Sequence, residues 1–150
     1  MQYVKGQSEG EAYNPLLPAV RFAKCPIRIS AGLLGKKWTM LIIRDIGFRN
    51  IDRFNRLHES VRGITPRVLS QRLKELEDEG YIERVEKESP ALVRWALTEK
   101  GKDALPILMS FIAFGSKWYA DDVFEDGKPR PMKELYPSPQ AREVIERYVR

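Results

Sequence analysis

Four side chains with hydrogen-bonding ends lie close together in residues 65–80, TPRVLSQRLKELEDEG: Arg67, Ser70, Gln71 and Lys74. Residues three, four and seven apart share one face of a helix. On another face, Leu69, Leu73 and Leu76 make a narrow apolar stripe. An arginine fork matches the O6 and N7 acceptors of guanine, and a glutamine amide matches adenine. Arg67 is therefore the first candidate for reading a base edge and Gln71 the second, with Ser70 and Lys74 as flanking contacts. Thr65 supplies an N-cap, Pro66 suits the first helical position, and Gly80 marks the end. A helix of this kind taken alone is more often an ordinary solvated amphipathic helix, so its neighbours decide the reading.

Those neighbours are cationic. Arg49, Arg53, Arg56, Arg62, Arg67 and Arg72 fall within a short stretch, and arginine suits forked donation to phosphate. Arg53 and Arg56 are the candidates for phosphate contacts. Lys36 and Lys37 stand at a predicted helix start, where positive charge opposes the dipole and a nearby phosphate explains them better than helix stability does. Arg72 flanks the leucine stripe, so it is expected to pair with Glu75 or Glu79. Glu75, Glu77, Asp78 and Glu79 crowd the other end of the helix. They would repel a phosphate backbone, so the helix should meet DNA by its N-terminal half. Lys74–Asp78 and Arg72–Glu75 pairs should offset part of that acidity.

The elements that hold these residues read as follows. Residues 1–24, with Pro15 and Pro18, form an arm with a short helix near residues 19–23. Cys25-Pro26 opens a helix over 27–34, closed at Gly35. Trp38, Leu41, Ile42 and Ile46 give the next helix its buried face, and Gly47 ends it. Asp52 can cap a third helix over 53–60, with Phe54, Leu57 and Val61 inward. The link to the 65–80 helix is short and contains Gly63, giving a helix-turn-helix pattern. After Gly80 the pattern changes to two short strand-like runs, Tyr81-Ile82 with Val85, and Leu92-Val93 with Trp95 and Leu97. Lys87-Glu88-Ser89-Pro90 lies between them as a turn, with Pro90 at the tip of the hairpin. The fold class is thus mainly α with a small β-hairpin, a winged helix-turn-helix over residues 25–97.

Thr98 caps a long helix over 98–120. Its apolar residues, among them Leu105, Leu108, Met109, Phe111, Ile112 and Trp118, occupy almost every face. A domain this small is expected to cover part of that surface with a second copy of the chain, the alternative being cover from its own arm or tail. Pro106 either falls in the first turns or kinks the helix. Residues 121–150 form a proline-rich extension ending in a helix over 139–149, with Val144, Ile145, Tyr148 and Val149 on one side.

Composition narrows the rest. The 150 residues carry a net charge of +5, which permits a polyanionic partner without requiring one. One cysteine excludes an intrachain disulfide and a cysteine-rich zinc site, and fits a reducing cytosol. No apolar stretch is long enough for a signal peptide or a membrane span, so no membrane partner is expected. The single histidine, His58, has no metal-spaced companions, and there is no phosphate loop, dinucleotide fingerprint or nucleophile elbow. Neither an enzyme, a metal nor a cofactor is indicated. Cys25 stands at a helix start beside Lys24 and Arg28, which would favour its thiolate; a small packing residue is the plain alternative.

The ordered set of short motifs resembles the HxlR-type winged-helix transcription regulators, relatives of the MarR-like group. It comprises Cys25-Pro26, residues 35–38 (GKKW), 53–57 (RFNRL), 63–65 (GIT), 69–76 (LSQRLKEL), 80–82 (GYI) and 97–101 (LTEKG). The resemblance implies a homodimeric DNA-binding regulator whose terminal helices build the dimer interface. It also implies a sensing role for Cys25, because some relatives detect oxidants or electrophiles through a cysteine at this place. The chain departs from the family pattern in the wing, where Leu92, Arg94 and Trp95 replace the usual residues. Arg94 is the wing's candidate DNA contact and points to the opposite side of the strand from Val93. The expected partners are double-stranded DNA and a second copy of the chain, with any small-molecule effector open. The competing reading is a winged helix used as a protein-interaction module with only non-specific DNA binding.

Overall fold

The computed structural model describes residue 16 and residues 18–86 and 93–147. The turn at 87–90, Pro15, Leu92, Tyr148 and Val149 lie outside the described residues. The chain divides into two compact units between Lys36 and Lys37.

In the first unit the helix opened by Cys25-Pro26 is α1 (Pro26–Leu34), with Pro26 in its first turn and Gly35 as its C-cap. No helix forms at residues 19–23, contrary to the sequence expectation. Val20 there is 67% exposed, so one or two turns would meet the cost of helix nucleation without a buried face.

The second unit begins with α2 (Thr39–Phe48), α3 (Phe54–Ser60) and α4 (Pro66–Asp78). Ile42, Ile43 and Ile46 are the buried isoleucines of α2, whereas Leu41 is exposed, which corrects the face assigned from sequence. Gly47 does not end this helix. A Cβ there would lie 2.7 Å from Leu105 Cδ2 and 2.8 Å from Leu97 Cδ1, so glycine admits two leucines against the last turn. Asp52 does not cap α3 either, since the N-cap residue is Arg53 and no side chain caps that end. Leu57 and Val61 are buried and Phe54 half-buried, as the spacing predicts.

Helix α4 follows its sequence closely. Thr65 Oγ1 accepts the Val68 N–H at 3.2 Å, and Leu69, Leu73 and Leu76 are all buried. At the far end Gly80, at φ +77, donates to Glu77 O while Tyr81 donates to Leu76 O at 2.8 Å. That pair of bonds satisfies two terminal carbonyls and turns the chain into the hairpin.

The hairpin pairs β1 (Ile82–Glu86) with β2 (Arg94–Leu97) antiparallel, Ile82 opposite Leu97 and Arg84 opposite Trp95. The register is irregular between Arg84 and Glu86. The far side of β2 is also engaged: Trp95 donates its N–H to Asp52 O at 2.9 Å. The core joins α2, α3 and α4 to this hairpin through Ile42, Ile43, Leu57, Leu69, Leu76, Ile82 and Trp95.

The long helix expected over 98–120 is broken. Thr98 does cap α5 (Glu99–Asp103), accepting the Gly101 N–H at 3.2 Å. After Ala104 a separate α6 (Leu105–Trp118) begins, with Pro106 in its first turn. A proline at that place has no N–H to continue the ladder and its ring crowds the carbonyl four residues earlier. The extension adds α7 (Ala120–Val123), α8 (Met132–Leu135) and α9 (Pro139–Glu146). Ser138 Oγ caps α9 by accepting the Ala141 N–H at 3.1 Å. Helix α9 packs on α6, and Arg147 just beyond it pairs with Glu99 at 2.6 Å and with Asp103. The tail therefore covers part of the helical surface within one chain.

Among the described residues, no helix is long and apolar enough to cross a membrane, and no group of His, Cys, Asp or Glu could hold a metal ion.

Candidate nucleic-acid interface

The face predicted for α4 exists. Arg67, Ser70, Gln71 and Lys74 are all exposed, and the leucine stripe that anchors the helix lies inward. Thr65 is exposed at the same end, where the free N–H groups of the first turn carry the positive end of the dipole. Toward the other end the side chains neutralise one another. Gln71 Nε2 donates to Glu75 Oε1 at 3.3 Å, Lys74 pairs with Asp78 at 3.2 Å, and Arg84 of β1 pairs with Glu77 at 2.9 Å.

The arginines of the winged helix sort into two groups. Arg44 and Arg49 turn to the fully buried Asp45, at 2.8 and 3.6 Å. Arg72 pairs with Glu75 at 3.3 Å, and Arg94 with Asp52 at 3.0 Å. By contrast Arg53, Arg56, Arg62 and Arg67 are exposed and have no ion-pair partner among the described residues. These four belong to one structural feature, the start of α3, the turn, and the start of α4. Exposed arginines that no carboxylate neutralises are available as donors to a polyanion.

The remaining candidates are placed differently. Lys37 is exposed, with Nζ 4.6 Å from the centroid of the Trp38 ring. Lys36 is exposed but belongs to the first unit. Arg94 is half-buried and its guanidinium is engaged at the base of the wing. Cys25, also in the first unit, is half-buried at the N-cap of α1. Of the six residues expected at a dimer interface, Leu105, Leu108 and Met109 are already buried within the single chain, because they face α2 and the core; this corrects their assignment. Ile112 is half-buried, while Phe111 and Trp118 are 60% and 65% exposed. His58 is half-buried in the last turn of α3.

Sequence reasoning missed two parts of this arrangement. Asp45 stands four residues before Arg49, a helical pairing distance, but no spacing marks it as buried; as a buried carboxylate it draws Arg49 away from the basic cluster. Asp52 was legible only as a cap, because its partner Arg94 is remote in sequence.

Comparison with known proteins agrees with this geometry. The chain matches the HxlR-like helix-turn-helix family over residues 33–123. It is 33% identical over 102 residues to the HTH-type transcriptional regulator sll1512 of Synechocystis, covering 67% of this chain and 75% of that one. It is 36% identical over 108 residues to the HTH-type transcriptional regulator YodB of Bacillus subtilis, covering 69% and 96%. The crystal structure of quinone-bound YodB aligns with TM-score 0.52 and 32% identity over 63% of this chain and all of the other. The crystal structure described as a possible HxlR family transcriptional factor from Thermoplasma volcanium aligns with TM-score 0.53 and 37% identity, covering 64% of this chain and 86% of the other. With a winged helix, an exposed donor face on α4 and this match over most of its length, the chain belongs to the HxlR family of DNA-binding helix-turn-helix transcriptional regulators.

Proposed function

We propose that this regulator acts as a homodimer on a pseudo-palindromic operator, each α4 entering a major groove by its N-terminal half. The sorting of the arginines carries this reading: the four left unneutralised run from the start of α3 through the turn to Arg67 at the start of α4, and the acidic residues gather at the other end of α4. Two such helices would read half-sites about one helical turn, roughly 34 Å, apart. The dimer is supported by α6, where Ile107, Phe111, Phe114 and Trp118 remain exposed. Their spacing alternates four, three and four residues, the pattern of a seam between two helices. Symmetric pairing would cover that seam in both copies at once. The regulator acts in the cytoplasm, the compartment that one reduced cysteine and a DNA partner both suit.

Selection of genomic fragments by the purified protein, followed by sequencing, tests this function. A shared inverted repeat among the retained fragments is the expected result. Retention without a common sequence would favour a protein-interaction module with non-specific DNA binding.

A second reading concerns regulation. Likeness to a regulator solved in quinone-bound form supports Cys25 as a sensor of oxidants or electrophiles. Its place at the start of α1, where backbone N–H groups favour a thiolate, supports the same reading. Operator binding should then fall after mild thiol oxidation and remain unchanged in Cys25→Ser. Equal response of both proteins would leave Cys25 a packing residue.

A further inference from the structure

Arg72 lies on α4 between the exposed donors and the leucine stripe, with its side chain only 15% exposed. Its Nε donates to the carbonyl oxygen of Lys37 at 3.2 Å, and Nη1 donates to Glu75 Oε2 at 3.3 Å. One guanidinium thus serves two acceptors, one on its own helix and one at the start of α2. A lysine, with a single point of charge, cannot reproduce that fork.

The residue after Lys37 is under strain. Trp38 sits at φ 80, ψ −21, a left-handed conformation that crowds the Cβ of a bulky L-residue against the following carbonyl oxygen. Such a conformation persists only where the surroundings hold it. The Trp38 ring reaches the turn between α3 and α4: its Cη2 lies 3.2 Å from where a Cβ would stand on Gly63. Gly63, at φ +90, makes the turn and leaves room for the indole. Lys37 Nζ lies over the same ring. The corner at Lys37 and Trp38 is therefore fixed from two sides, by Arg72 on the recognition helix and by the turn that leads into it.

We infer that Arg72 is a positioning residue for DNA binding. It makes no DNA contact of its own, and holds the Lys37–Trp38 corner so that the Lys37 ammonium meets a phosphate beside the groove that α4 reads. The charge of Arg72 is already matched by Glu75 and its fork is occupied, whereas Lys37 is exposed. This inference rests on the DNA-binding reading of α4.

The test is the salt dependence of binding, measured with the full chain on a labelled random-sequence duplex of about 30 base pairs, enough for two half-sites. Each phosphate contact adds roughly one to the slope of log K against log salt. Lys37→Ala and Arg72→Gln should each lower the slope by about one per bound copy, hence about two for the dimer, and the double variant should match either single variant. Arg72→Lys keeps the charge and loses the fork, so it should show the same reduced slope. Melting curves establish that each variant is folded at the assay temperature, and Arg72→Lys serves where Arg72→Gln is not. A wild-type slope in Arg72→Lys, or losses that add in the double variant, would mean that Arg72 touches phosphate itself and overturn the inference. Normal binding by wild type with an unchanged slope in Arg72→Gln would overturn this inference alone. No binding by wild type to any duplex would overturn the DNA-binding reading along with it.

Discussion

Arg94, the first residue of the second wing strand, donates its Nε–H to Asp52 Oδ2 at 3.0 Å, while the next residue, Trp95, donates its backbone N–H to Asp52 O at 2.9 Å. Asp52 thus joins the wing to the link between α2 and α3 by a side-chain and a main-chain bond together. The direction of the wing is set at its base, and the one basic side chain of β2 serves that purpose.

Asp52→Ala should lower stability by about 0.5–1 kcal/mol, a modest amount because both side chains remain partly in solvent. Amide exchange at Trp95 should quicken more than exchange in α4. Equal exchange rates in the variant and wild type would show that the main-chain bond alone pins the wing.

Two arginines of the interface should fail in different ways. Arg67→Ala should cost about 1–3 kcal/mol on the preferred operator and relax one base position. Arg53→Ala should weaken all sequences alike and reduce the salt slope by roughly one per bound copy. An unchanged base preference in the first variant, or an unchanged slope in the second, removes that residue from its role.

Sedimentation separates the two sides of α6. Phe111→Asp and Trp118→Asp alter exposed positions, so each should leave the fold intact and convert a dimer into a monomer. Leu108→Asp places a charge in the buried core and should unfold the chain instead. A wild-type monomer at micromolar concentration would refute the dimer.

The attachment of α9 should depend on acid. Hydrogen bonds from Lys102 and then Arg147 hold the Glu99 carboxyl below the usual carboxylate range. The folded carboxyl therefore binds its proton less readily than the unfolded one. Its contribution is present above about pH 4.3 and is lost as the pH falls through the lower folded value. Amide exchange in residues 139–146 should accelerate on acidification below that point, and Glu99→Gln should remove the step. A step that persists in Glu99→Gln would assign it to another group.

Local physics explains what was legible beforehand. The α4 cap at Thr65, its leucine stripe and its glycine exit depend on neighbours within one or two turns, and each stands where the spacing placed it. The Lys74–Asp78 and Arg72–Glu75 pairs are legible for the same reason. The misplaced features are those decided by remote partners. Gly47 reads as a helix stop until Leu97 and Leu105 press against it, and Asp52 reads as a cap until Arg94 arrives from the wing.

Periodicity and capping act over a few residues, and they are enough to specify a helix-turn-helix with a wing and an amphipathic donor-bearing helix. Long-range packing sets which face of α6 stays open and adds Arg94 to the arginines that a carboxylate engages. A cation is available only if no carboxylate lies within reach, and an apolar residue is surface only if nothing packs on it. Where Asp52 meets Arg94 and α9 returns onto α6, partners remote in the chain set these conditions, and no sequence spacing encodes them.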